Sequence, residues 1–120
     1  MKRLVLTCLA AMAVASPALA DAKGDVAAAR EALERGDPRS AMTQVDQAIK
    51  SNTLKGRDLA SAHALRCSVL AMTGNAEPAK ADAAKALELN AKSSEAYACR
   101  GAIAAAGRDM PSALAAYDQA

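Results

Sequence analysis

The chain has 120 residues, a formal charge of +2, 52% apolar residues and 2% aromatic ones. Lys2 and Arg3 lie at the extreme N-terminus, and without them 13 basic residues face 13 acidic ones. That balance removes the electrostatic footprint a nucleic-acid-binding chain needs.

Residues 1–20, "MKRLVLTCLAAMAVASPALA", read as a cleavable export signal. A basic start leads into a mostly apolar run from Leu4 to Ala15, Ser16-Pro17 breaks it, and Ala18-Leu19-Ala20 offers small residues at the peptidase positions. Cleavage is expected after Ala20, which makes the mature protein periplasmic or secreted. The apolar run falls short of the ~20 residues of a membrane span, so no transmembrane segment is expected after processing. Cys8 lies inside the run and leaves with it.

The remainder, 21–120, is expected to form one all-α domain. The first helix is predicted from about Asp25 to Glu34, with Val26, Ala29 and Leu33 at helical spacing and Gly36 as its stop. Asp37-Pro38 supplies a cap and first turn for a second helix reaching Lys50. After the looser "SNTLKGR", a third helix runs from about Asp58 to Thr73 and stops at Gly74. Asn75 is placed to cap the fourth, Ala76 to Leu89. Ser93 or Ser94 opens the fifth, which ends near Gly107. Asp109 caps the sixth, with Pro111 in its first turn. No segment shows period-two alternation rich in β-branched residues, so no sheet is expected. Leu, Ile and Val are scarce and alanine dominates, which favours helices locally but buries little area per residue. Such helices must approach closely and stack extensively, as in a repeat protein.

The repeat is visible. Ala79, Ala83 and Ala86 correspond to Ala113, Tyr117 and Ala120 through a shift of 34 residues. Ala41, Val45 and Ala48 make the same phrase 38 residues before the fourth helix, the excess falling in "SNTLKGR". Within each pair a small residue precedes the alanine of the second helix by 12: Ala29 to Ala41, Cys67 to Ala79, Gly101 to Ala113. Three units follow, at about 22–55, 60–93 and 94–120. The third, with Tyr97, Gly101, the "CRG" triplet and "AYDQA", resembles the tetratricopeptide repeat family, whose period is 34. The second offers His63, Cys67, Gly74, Ala79 and "KALELN". The first keeps Gly36, Ala41, Val45 and Ala48. No Trp or Phe occurs, and Gly107 sits one residue early.

The resemblance implies an α-solenoid of about three antiparallel helix pairs in a right-handed superhelix. Its first helices would line a concave face that binds a protein or peptide partner. Here that face comprises Val26, Arg30, Ala64, Ser68, Ala71, Ala98, Ala102 and Ala105. The implied role is an exported interaction scaffold, not an enzyme, with no cofactor. No nucleophile–base pair, phosphate-binding loop or carboxylate pair is recognisable.

Two constellations compete with this reading. His63 and Cys67 share a helix face and, with Cys99, suggest a small metal- or redox-responsive protein. Both occupy packing positions of the repeat, however, and no second His exists to complete a zinc site. Cys67 and Cys99 lie on first helices of adjacent units. Axes ~8–10 Å apart exceed the reach of most bridges, so two buried thiols are expected. Arg66 and Arg100, one period apart, should project alike. A salt bridge to a carboxylate such as Asp82 is expected, with acidic-ligand binding the functional alternative.

The chain ends seven residues short of a full unit, without the polar cap that arrays use. The expected consequences are fraying, self-association through the sixth helix, or an origin as the opening portion of a longer repeat protein.

Overall fold

Alternating Pro and Gly signals divide the alanine-rich chain into helices, and each boundary has a local cause. The structure, a computed structural model, describes residues 17–107 and 110–120, with the backbone alone at 110–113. The helices are α1 (Pro17–Glu34), α2 (Pro38–Lys50), α3 (Gly56–Met72), α4 (Ala76–Leu89), α5 (Ser94–Ala106) and α6 (Met110–Gln119). The protein is all-α, with no strand among the described residues.

The expected bounds of α2 and α4 hold. Asp37 caps α2 by accepting a hydrogen bond from the Ser40 N–H at 3.1 Å. Ser93 caps α5 in the same way, accepting from the Ala96 N–H at 3.2 Å. Asn75 occupies the N-cap position of α4, as expected, but makes no side-chain cap there. Its side chain turns back instead, and Nδ2 donates to Thr73 Oγ1 at 2.9 Å. The first helix is already formed at Pro17, where the described residues begin, well before Asp25, and the alanines that follow carry it through Gly24. The signal reading rests largely on residues 1–16, and the expected Asp109 cap on 109; both lie outside the described residues.

The α1–α2 and α3–α4 turns close identically. Gly36 N–H donates to Leu33 C=O at 2.9 Å and Asp37 N–H to Ala32 C=O at 2.8 Å. Gly74 and Asn75 repeat this against Ala71 at 3.2 Å and Leu70 at 2.8 Å. Both glycines are left-handed, with φ of 75° and 81°, which completes the Schellman geometry. Gly74→Ala should therefore cost about 1 kcal/mol, read as a lower midpoint in urea with unchanged slope. An unchanged midpoint would show that the turn tolerates a Cβ. Gly107 is different: its φ is −79° and its N–H bonds to Ile103 C=O at 3.0 Å. Its one-residue displacement in the sequence makes it the C-cap, directly after Ala106, instead of the left-handed residue beyond the cap.

The closest packing joins α1 to α2, α3 to α4 and α5 to α6; α3 also touches α1, α2 and α5, and α4 touches α5. This hub position explains why the buried residues of α3 fall on all its sides: Ala60, Ala62, His63, Ala64, Leu65, Cys67 and Val69. Repeat positions Ala29, Ala41, Ala48, Cys67, Ala79 and Ala86 are all fully buried. Gly101 is buried because the Tyr117 ring lies on it; a Cβ there would stand 2.8 Å from Tyr117 Cε1. Tyr97 is half-buried, while Tyr117 and Ala120 are exposed. The side chain of Ala113 lies outside the described set.

Among the described residues, 12 of the 19 buried apolar ones are alanine. Each alanine contributes little transfer energy, so the covalent and polar ties between helices carry an unusual share of the stability. No described helix is long and apolar enough to cross a membrane.

Candidate functional site

The largest buried polar cluster is centred on α3. Arg66 reaches across to α4, where Nε donates to Asp82 Oδ2 and Nη2 to Asp82 Oδ1, both at 2.8 Å. Its Nη1 donates to Asp46 Oδ1 on α2 at 3.1 Å. His63, one turn before Arg66, places Nδ1 at 2.9 Å from Asp82 Oδ1. An ionised carboxylate accepts only, so Nδ1 carries the proton and donates. The planar guanidinium fits the carboxylate with two parallel bonds. Asp82 thus receives three donors although its side chain is only 8% exposed.

Burial alone would raise the Asp82 carboxyl. The hydrogen bonds from His63 and Arg66, together with their charge, more than offset it and hold the group below the usual 3.8. The same bonds to Asp82 raise the Arg66 guanidinium. The cluster joins α2, α3 and α4 and therefore binds one helix pair to the next. The salt bridge to Asp82 was legible in the sequence from the register of Arg66. The roles of Asp46 and of the His63 ring were not, because His63 stands where the repeat places a packing residue. Gln44, the counterpart of Asp82 through the 38-residue step, has a buried Oε1 without a hydrogen-bond partner.

Cys67 and Cys99 are not two thiols. They form a disulfide with a Cα–Cα distance of 6.3 Å, joining α3 to α5. The usual helix spacing does not apply here, because Ala60, Ala64 and Ala96 pack into one cluster between these helices and let the backbones approach. Cys67 is fully buried and Cys99 4% exposed, within a cluster that includes Ala79, Ala83 and Ile103. The trio of His63, Cys67 and Cys99 accordingly forms no ligand set: the sulfurs bond to each other and the ring bonds to Asp82.

The residues assigned to the partner face divide. Arg30 and Ala102 are exposed, and Val26, Ser68, Ala71, Ala98 and Ala105 are half-buried. Ala64 is fully buried, covered through its contact with Ala60, Ala86 and Ala96, and offers nothing to a partner. Arg30 extends from α1 to Glu95 at the start of α5, with Nη2 3.1 Å from Oε1. The exposure of both side chains makes this a weak tie. Ser68 Oγ donates to Ala64 C=O in its own helix at 3.3 Å.

A second concavity shares only Ala71 with the partner face. A groove of about 1250 Å³ runs between α4 and α6 with α5 as its floor. Leu87, Ile103 and Ala104 give it apolar walls, while Lys80 and Arg100 bring positive charge. The salt bridge expected for Arg100 does not form: among the described residues it has no ion-pair partner, unlike Arg66. Comparison with known proteins returns no matching family model, no matching curated protein and no matching solved structure.

Proposed function

We propose that this chain is an exported interaction module of the tetratricopeptide-repeat type, built from stacked antiparallel helix pairs. It would hold a protein or peptide partner and perform no catalysis. The observation that supports this most is the recurrence of one closed turn at Gly36 and Gly74, with α3 packed against both helices of the preceding pair and the first helix of the next. A stacked array requires such contacts between neighbouring units.

Export is supported by the leader-like sequence of residues 1–20 and by the buried disulfide, which suits an oxidising compartment. Cleavage after Ala20 would shorten α1 by its first four described residues and remove Leu19 from the cluster it packs against. Ala22, the first fully enclosed side chain among the described residues, would remain. The burial of both sulfurs favours a structural role for the bridge over a redox-responsive one.

The concave face, less Ala64, is the proposed partner surface. Affinity capture from envelope extract with the wild type and with a Ser68→Arg plus Ala102→Arg variant tests it. The partner should be lost at least tenfold in the variant while the far-ultraviolet spectrum stays unchanged. Full retention by the variant would overturn this face as the site.

A further inference from the structure

The cluster around Arg66 has a counterpart in the next unit. Through the 34-residue step His63, Arg66 and Asp82 correspond to Tyr97, Arg100 and Ala116. Asp46, on the second helix of the preceding unit, corresponds through the 38-residue step to Ala84. All four counterparts, Ala84, Tyr97, Arg100 and Ala116, line the groove between α4 and α6. The guanidinium therefore recurs, while both of its carboxylates have become methyl groups. The space those side chains would fill is part of the groove.

Arg66 is tied to Asp82 and Asp46, and Arg30 to Glu95. Among the described residues Arg100 is exposed and has no ion-pair partner. Glu88 is the one carboxylate among the lining residues, and it is held by Lys85 at 3.5 Å. Lys80 is tied only to Glu77 at 3.1 Å, with both side chains more than half exposed. An incoming anion could exchange so weak a pair at little cost.

We infer that this groove binds an acidic peptide segment, whose carboxylates take at Arg100 the places that Asp82 and Asp46 take at Arg66. The groove is larger than most small-molecule sites and open along two helices. Its apolar walls accept side chains such as leucine between the carboxylates. Arg66 supplies the bonding template, a forked pair to one carboxylate and a single bond to a second. This inference shares the repeat register with the proposed function, and its groove meets the concave face only at Ala71.

The test uses the full chain and a fluorescein-labelled helical peptide of alanine and leucine, with two aspartates four residues apart. An identical peptide with asparagines is the control. The aspartate peptide should bind at least tenfold more tightly than the control, and its affinity should fall as salt rises. Arg100→Ala should weaken it at least tenfold. Ala116→Asp should do the same while raising the melting temperature, because it restores an internal partner. Ala84→Asp, at an exposed position on α4, repeats the test without demands on folding. The Ser68→Arg plus Ala102→Arg variant should bind the peptide as the wild type does, which separates this site from the concave face. Equal binding of the two peptides, or full binding by Arg100→Ala, would overturn the inference. Competition by free succinate at the same concentration as the peptide would overturn the peptide as occupant.

Discussion

Replacing both Cys67 and Cys99 by alanine is expected to lower the stability of the folded chain by about 3–4 kcal/mol. The bridge joins residues 32 apart, and closing a loop of that length restricts the unfolded chain by roughly this amount. For a domain of this size the loss corresponds to a melting temperature lower by on the order of 15 °C or more. The effect should be centred on α5 and α6. The described part of α6 packs only on α5, and α5 is held to the rest through α3 and α4. Small buried residues supply most of the remaining contact there. Urea unfolding followed by circular dichroism, with and without a reductant, measures it. Wild-type protein unfolded without reductant should show no free thiol from these two residues. Two free thiols, or equal midpoints for the wild type and the double variant, would remove the bridge from the account of stability.

The second large effect belongs to Asp82. Asp82→Ala would leave Arg66 and the His63 ring without their common acceptor in a largely dry cluster, at a cost of about 2–4 kcal/mol. Asp82→Asn keeps the shape and removes the charge, and it should change the pH dependence most. Because the Asp82 carboxyl is held lower in the folded protein than in the unfolded chain, its contribution is complete above the ordinary aspartate range, near 3.8. That contribution declines as pH falls through the folded value. The wild type should therefore lose stability steeply on acidification from pH 5 to pH 2, and Asp82→Asn should show a shallower decline. Parallel pH profiles of the two melting temperatures would show that the cluster does not govern the acid response.

Much of this architecture was legible because its signals are local. Pro38, Gly74 and the Asp37 cap each act on the backbone within one turn, and the bounds of α2 and α4 follow from them. The pairing of Arg66 with Asp82 followed from register, since both lie at fixed offsets within one unit. What escaped depends on how closely helices approach, which average spacings do not reveal. Alanines at 60, 64 and 96 bring α3 and α5 near enough for a bridge, and the same approach buries Ala64 where an open surface was expected. The early start of α1 escaped for another reason. A segment read as the end of a leader continues into the first helix without a break. The groove beside Arg100 could be recognised only when the carboxylates of the previous unit were seen in place.

The central position of α3 also determines where the sequence is free to vary. Each of its sides faces a different neighbour, so a substitution that relieves crowding against α2 or α4 alters the fit against α1 or α5. Change in α3 must therefore be matched by change in several other helices at once, whereas α1 and α6 keep sides that answer to no other part of the described chain. Diversification should accumulate in α1 and α6, and α3 should drift slowly, in coordinated steps.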